Sequence, residues 1–227
     1  MSADFDTAVQ LYRDHHYGEA AAAFADLARD EPDPGRAAVL HADAGTAAAR
    51  AESWGEAVWQ LRKARLLAPR DPIPAANLAR VRAVLGEGSS EAAHFTETLR
   101  ELPLHLTPAE SDALCGAAVG LALLLLALRR ALPARRALTT VAVGLLVLAA
   151  GWWPASLKAW NSARARAVII PPTAVGHAEP DVGSEVLFRL GAGALVRGEE
   201  ERHGWRLVES DGGARGWVPE DEARLLR

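Results

Sequence analysis

Two long uncharged apolar runs constrain the fold of this 227-residue chain more than any other feature. They cover residues 113–128 and 137–153. With its flanks, each run reaches the roughly 20 residues that an α-helix needs to cross the hydrocarbon of a bilayer. Neither has the polar stripe of a surface helix on a soluble domain. The alternative is a pair of core helices in a soluble protein, but the flanking segments are too small and too polar to cover them. The sequence therefore predicts two transmembrane helices, paired as a hairpin over residues 109–156.

Four arginines lie in the short link between the runs: Arg129, Arg130, Arg135 and Arg136. Short loops rich in Lys and Arg stay on the cytoplasmic side of a membrane. The tryptophans of residues 152–160 are typical of an aromatic belt at the membrane interface. We therefore expect a multi-pass protein of the plasma (inner) membrane, with the arginine link cytoplasmic and both soluble domains extracytoplasmic.

The first residues of the chain do not fit this topology by themselves. They lack the basic and apolar regions of a signal peptide, which exporting the N-terminal domain would require. We expect that a signal peptide is missing from this form of the chain. The alternative is a cytoplasmic N-terminal domain with the arginine link outside, against the usual charge bias.

The distribution of charge argues against nucleic-acid binding. The net charge is −5 over residues 1–108, +5 over residues 109–170 and −4 over residues 171–227. Basic residues therefore gather at the predicted membrane segment, and neither flanking domain has the basic face that nucleic acids need. The lone cysteine, Cys115, cannot form an intrachain disulfide and is most simply a small packing residue.

Two stretches of the N-terminal region align at an offset of 37 residues. Each has an aromatic residue followed by Gly-Glu-Ala, a large apolar residue four positions after the alanine, and a proline at its end. They begin at Tyr17 and Trp54 and end at Pro32 and Pro69. This pattern resembles the second helix of tetratricopeptide (TPR) repeats, which stack into a superhelix. The resemblance implies an all-α region of TPR-like repeats over residues 1–88; an unrelated helical bundle is the alternative.

A third helix, over residues 75–85, is predicted to cap the last repeat. TPR repeats usually bind peptides or partner proteins in a groove lined by their first helices, so the resemblance implies a short groove here. The candidate partner-binding residues are Tyr12, Arg13, Arg50 and Arg80. For each arginine the alternative is a solvated helix face. Residues 89–108 are predicted to be a linker that contains an amphipathic helix near the membrane.

The hydrophobic period changes after a predicted connector over residues 157–166. Short β-type runs alternate with turns that contain Gly, Pro or Asp, which predicts a small all-β barrel over residues 167–227. The pair Asp211-Gly212 marks a predicted hairpin tip.

Two Gly-Trp pairs in this region, at Trp205 and Trp217, resemble those of bacterial SH3-like domains. Residues 174–180 depart from the family's pattern, which puts ligand contacts through that loop in doubt. Such domains bind peptides or cell-wall fragments in some proteins and act as spacers in others. The resemblance makes Trp205 and Trp217 candidates for an aromatic ligand groove, with core packing as the alternative.

TPR-like repeats, a membrane hairpin and an SH3-like domain, in this order, resemble the BatE-type proteins of bacterial aerotolerance operons. The resemblance rests on architecture and implies a role in stress tolerance or envelope assembly. The implied protein partners are von Willebrand factor A-type Bat proteins and a MoxR-type ATPase.

No motif predicts catalysis, a metal site or a cofactor. The seven histidines form no zinc-binding spacing, and no Walker-type or nucleophile-elbow sequence occurs. We therefore expect a membrane-anchored, non-catalytic protein–protein interaction scaffold. One alternative is a membrane protein that binds cell-wall peptidoglycan through its SH3-like domain. Another is a sensor or assembly subunit of a transport or secretion complex.

Overall fold

The structure is a computed structural model that describes residues 2–86, 106–129, 135–210 and 212–226. The chain divides into two compact units. One combines Met1–Ser90 with Ser162–Arg227, and the other is Glu91–Asn161. Seven helices and seven strands lie within the described residues.

Five helices form the helical region of the first unit: α1 (Ser2–Arg13), α2 (Tyr17–Asp30), α3 (Pro34–Arg50), α4 (Trp54–Leu67) and α5 (Pro72–Val84). Each helix packs against the next one along the chain. The second helices, α2 and α4, begin 37 residues apart, as the alignment predicts. Fully buried alanines dominate their contact surfaces, so the helix axes approach closely, while Phe24 and Leu61 fill the remaining space. The region is helical as predicted, and its assignment to TPR repeats stays a prediction.

Two aspartates define helix starts. Asp33 caps α3, where its side chain accepts a hydrogen bond from the Arg36 backbone N–H. Asp71 caps α5 in the same way, so that helix begins at Pro72, three residues before the predicted start. In both cases a proline occupies the first helical position, where its missing N–H has no cost.

The second unit contains α6 (Pro108–Leu128) and most of α7 (Arg135–Arg164). Both helices are long and apolar enough to span a membrane, and only 11% of the most apolar window of each is buried. The second helix is longer than predicted, since it continues through the expected connector, residues 157–166, as far as Arg164. Of the predicted linker, residues 89–108, the structure describes only residues 106–108, so most of the predicted amphipathic helix lies outside the described residues.

Small side chains form the contact between α6 and α7. Ala122 and Ala142 are fully buried, and three of the four buried residues of α7, Ala142, Ala149 and Ser156, are spaced seven apart; the fourth is Trp160. Cross-helix contacts show that the pair is antiparallel: Trp153 Nε1 donates to Asp112 at 3.0 Å, and Trp160 Nε1 donates to the Leu106 carbonyl at 3.0 Å.

The C-terminal part of the first unit is one antiparallel sheet, the sheet domain. Its strands are β1 (Arg166–Ile169), β2 (Thr173–His177), β3 (Val186–Gly191), β4 (Leu195–Arg202), β5 (Trp205–Ser210), β6 (Arg215–Pro219) and β7 (Ala223–Leu225). Their spatial order is β3-β2-β6-β5-β4-β1-β7. A small core packs Ile169, Val196, Val208 and Val218 together. The structure adds two strands that the sequence analysis did not identify, β2 and β7.

The helical region and the sheet domain share a hydrophobic core. Val168 of β1 and Leu226, next to β7, belong to the same buried cluster as Leu61 of α4 and Leu78 of α5. The sequence analysis treats residues 1–88 and 167–227 as separate domains, but in the structure they pack into one unit.

Candidate functional site

A glycine on α4 allows the sheet domain to pack directly against the helical region. A Cβ built on Gly55 would lie 2.2 Å from the Ile170 carbonyl oxygen and 2.5 Å from that of Ile169. Real Cβ atoms do not approach backbone oxygens so closely, so any side chain at this position would push the strand away. Gly55 is thus a point of close approach between the two parts.

Trp59, one turn further along α4, also contacts the sheet domain. Its indole Nε1 donates a hydrogen bond of 2.9 Å to the Leu225 carbonyl of β7. The Arg224 guanidinium lies 5.0 Å from the centre of the Trp59 ring, in range of a cation–π interaction. Since α4 occupies the outer edge of β7 in this way, that edge is protected from other strands.

A chain of hydrogen bonds leads from the sheet domain into the helical core. Arg224 donates to both carboxylate oxygens of Glu56, at 3.0 and 2.8 Å. Gln60, 2% exposed, donates to Glu56 at 2.8 Å. The amide oxygen of Gln60 in turn accepts from His41 Nδ1 at 2.6 Å. These four residues connect β7 to α3 through α4.

Burial lowers the pKa of two groups near Trp59, His41 and Lys63. Loss of solvation lowers the pKa of His41 below its ordinary value, and the nearby Lys63 lowers it further; the bond to Gln60 acts in the opposite direction. Burial also lowers the pKa of Lys63, with a smaller contribution from Arg164. His41 is therefore neutral at neutral pH, which suits a ring packed edge-on against Trp59 at 5.9 Å.

A groove of about 1200 Å³ runs along α3, with α2 and α4 as its walls. Alanines of α2 and α3 make up much of its lining. His41, Glu56 and Trp59 lie on its surface, and Pro172 and Arg224 of the sheet domain close one side. The groove is thus formed jointly by the helical region and the sheet domain, and the shape of its rim depends on their packing.

None of the four residues predicted to line the TPR groove lines this groove, although Arg50 ends α3, the helix that the groove follows. Arg13, Arg50 and Arg80 are exposed near the C-terminal ends of α1, α3 and α5. Tyr12 is half-buried and packs edge-on against Tyr17, with ring centres 5.2 Å apart. Among the described residues no hydrogen bond joins these four, so their role in partner binding stays a prediction.

Both predicted tryptophans of the sheet domain lie on one face of the β5–β6 hairpin. Leu207 of β5 pairs with Trp217 of β6, which places Trp205 diagonally beside Trp217. His177 pairs with Trp217 from the other side and packs edge-on against Trp205 at 5.5 Å. Neither tryptophan belongs to the buried cluster of the sheet.

This aromatic face is only partly open. Trp217 is 8% exposed, because the Arg202 guanidinium lies 5.6 Å from its ring centre. Trp205 is half-buried and remains accessible from solvent. The electrostatic effect of His177 extends from this face to Glu222. Burial and the neighbouring Asp221 raise the pKa of Glu222, whereas His177 lowers it. The structure thus brings the two predicted residues, Trp205 and Trp217, together, and Arg202 covers Trp217.

The arginines of the predicted cytoplasmic link fall at the ends of the hairpin helices. Arg129 follows α6, and Arg135 and Arg136 begin α7; all three are exposed. Arg130 lies outside the described residues. Within the described ranges, no group of three His, Cys, Asp or Glu residues could hold a metal ion.

Sequence reasoning missed Trp59, His41 and Arg224 as members of a common site. The repeat alignment included Trp59 only as a helix residue. Arg224 lies 168 residues from its partner Glu56, and no local pattern reports a contact across that distance. Gly55 gave no usable sign either, because Gly18 occupies the equivalent position of α2 and has no atom within 4 Å of its Cβ position.

Comparison with known proteins adds one finding. The family of bacterial SH3 domains matches residues 171–224, which cover most of the sheet domain. Searches of curated proteins and of solved structures gave no match to the chain. The C-terminal domain of this protein, residues 171–224, is therefore a bacterial SH3 domain.

Proposed function

We propose that this chain is a membrane-anchored, non-catalytic interaction protein whose helical region and SH3 domain act as one body on one side of the bilayer. The observation that supports this most is the contrast in burial within the chain. Large apolar side chains of α6 and α7 point outward, for example Leu124 at 54% and Leu148 at 70% exposure. An exposed apolar surface along two long helices is unfavourable in water, whereas it is stable in contact with lipid.

The shared core explains why both ends belong on the same side. Val168 and Leu226 are buried with residues of α4 and α5, so a bilayer cannot separate the two parts. A hairpin of two spanning helices returns the chain to its starting side. We place that side outside the plasma membrane, because the four arginines between the helices favour a cytoplasmic link.

Fractionation and labelling test this proposal. The full chain, expressed in bacteria, is expected to stay in membranes after alkaline carbonate washing and to be released by detergent. Single cysteines at Ser2 and at Ser210, in a Cys115→Ser background, should react with a membrane-impermeant maleimide in intact cells. Release by carbonate would contradict anchoring, and opposite labelling of the two positions would contradict the single body.

Within this proposal, the protein assists a Bat-type assembly. The order of TPR-like repeats, apolar hairpin and SH3 domain supports this role by resemblance. Purification of the tagged chain from detergent-solubilised membranes is expected to recover von Willebrand factor A-type proteins and a MoxR-type ATPase. Recovery of transport or secretion components in their place would favour the alternative role in such a complex.

Peptidoglycan binding is the second candidate function, and the aromatic face of the SH3 domain favours it. Trp205, His177 and Trp217 lie side by side on one face of the sheet, where Trp205 is partly exposed. Aromatic rings stack well on sugar and peptide groups. The detergent-purified chain should then sediment with purified cell wall, and Trp205→Ala should reduce this, with Val182→Ala as control. Equal sedimentation of both variants and the parent would remove this candidate.

A further inference from the structure

The first strand in the spatial order of the sheet, β3, has a neighbour on one side only. The opposite end of the sheet, β1 and β7, packs against the helical region. Among the described residues β3 pairs with β2, and no other strand reaches its outer edge. An edge of this kind presents backbone N–H and C=O groups to a further strand.

The edge of β3 carries little protection. Natural edge strands are usually protected by charged side chains, proline, bulges or a covering element, and β3, which reads Val-Leu-Phe-Arg-Leu-Gly, has one charge and one bulge. Val186 and Leu187 are 47% and 48% exposed. Leu187 has no partner on β2, because a bulge opposite Gly176 and His177 accommodates it as an extra residue.

Charge complementarity identifies the strand that fits. Glu185 and Arg189 are the only charged residues from Glu185 to Gly191, and they lie symmetrically about Leu187. Both are exposed, and neither side chain has a hydrogen-bond or ionic partner among the described residues. In an antiparallel pair of identical strands centred on Leu187, each Glu185 faces the Arg189 of the other chain.

From this symmetry we infer that β3 is a homodimer interface, in which two copies of the chain pair their β3 strands antiparallel about Leu187. This contact is isologous and closes after two copies. Its energy comes from backbone hydrogen bonds, from burial of Val186 and Leu187, and from two Glu185–Arg189 pairs. Opposite charges facing each other across an antiparallel pair stabilise it, and like charges destabilise it.

The area of such a contact makes the dimer weak in dilute solution. Two six-residue strands bury much less than the ~1,200 Å² of a stable protein interface. Confinement of both copies to one membrane would raise their effective concentration. The inference itself depends only on the geometry of β3, so it can hold even if the proposed membrane anchoring fails.

Disulfide trapping tests the pairing in the full chain. Leu187→Cys in a Cys115→Ser background places two cysteines at the two-fold axis, within the Cα separation that a disulfide allows. Val182→Cys is the control, since Val182 is also exposed at 75% but lies five residues from the axis. With mild oxidation, in membranes and in detergent at increasing protein concentration, we expect at least five-fold more covalent dimer from Leu187→Cys.

Charge exchange then tests the register. Added to Leu187→Cys, either Glu185→Arg or Arg189→Glu should reduce the dimer yield at least three-fold, because like charges then face each other. The double exchange should restore it to within two-fold. Equal yields from Leu187→Cys and Val182→Cys, single exchanges without effect, or cross-linking only to another protein would each overturn the inference.

Discussion

The helical region with its SH3 domain and the α6–α7 hairpin use apolar residues in opposite ways. In the first, large side chains such as Phe24, Leu61 and Ile169 are buried and alanines line the helix contacts. In the hairpin, alanine and serine fill the contact and the leucines and valines point outward. This difference is the one we expect if the hairpin lies in a membrane, as proposed, and the other region lies in water. Water forces large side chains inward, whereas lipid permits them outside and leaves small ones to bring helices together.

A charge placed on the outside of each region tests this contrast most strongly. Leu148→Arg, at a position 70% exposed on α7, should cost about 3 kcal/mol of membrane insertion if the helix lies in hydrocarbon. The fraction of chain that resists carbonate extraction measures this. Val182→Arg, at a position 75% exposed in the SH3 domain, should change nothing. Equal behaviour of the two variants would contradict the lipid-facing role of α7.

The packing of the SH3 domain against α4 is the next feature to test. Gly55→Ala should lower the free energy of unfolding by about 2 kcal/mol, because the new Cβ overlaps a backbone oxygen that cannot easily move. Denaturation of the detergent-purified chain, followed by tryptophan fluorescence, measures it. Gly18→Ala on α2 is the matched control, since no atom lies within 4 Å of its Cβ position. That control should be neutral or slightly stabilising.

Acidification should lower the free energy of unfolding of the helical region and leave the stability of the α6–α7 hairpin unchanged. The pKa of folded His41 is lowered below its ordinary value of 6.5 by burial. The unfolded chain therefore takes up a proton at higher pH than the folded chain does. The contribution of neutral His41 to the free energy of unfolding is therefore present above about pH 6.5. It is lost as the pH falls below that value, by at most ~1.4 kcal/mol per pH unit.

Unfolding curves between pH 7.5 and 5.5 measure this dependence, with His41→Gln for comparison. The variant should flatten the profile over this range. If the parent and the variant show the same pH dependence, another group is responsible and the account of His41 is wrong.

The ion pair between the two parts should have the smallest effect. Arg224→Ala removes its bonds to Glu56, but Arg224 is 44% exposed at its side chain, so solvent screens the pair. We expect a loss of about 0.5 kcal/mol and a modest increase in proteolysis between the parts. Arg197→Ala, which removes an ion pair within the SH3 domain, is the control. A loss as large as that of Gly55→Ala would show that polar contacts dominate the packing.

The sequence was informative where a pattern is local. Helical spacing around Tyr17 and Trp54 predicted α2 and α4, and the uncharged runs predicted α6 and the first part of α7. Gly-Trp pairs predicted the SH3 domain that the family comparison confirms. The shortest strand, β7, was not predicted, because its three residues carry too little pattern to distinguish them from a loop.

Contacts between distant segments could not be predicted. Nothing near Trp59 indicates that its indole bonds a carbonyl 166 residues later, and nothing near Val168 indicates that it completes a helical core. Such contacts depend on how segments that are far apart in the chain pack together. The groove along α3 followed from this packing, so it too was absent from the sequence analysis.

Protease protection in sealed membrane vesicles tests the central claim most directly, namely that a lipid-embedded hairpin holds the helical region and the SH3 domain together on one side. Epitope tags are placed before residue 1 and after residue 227 of the full chain, and inverted and right-side-out vesicles are digested separately. The account predicts that both tags are lost in right-side-out vesicles and both protected in inverted ones. Loss of one tag with protection of the other, or complete release of the chain from washed vesicles, would contradict it.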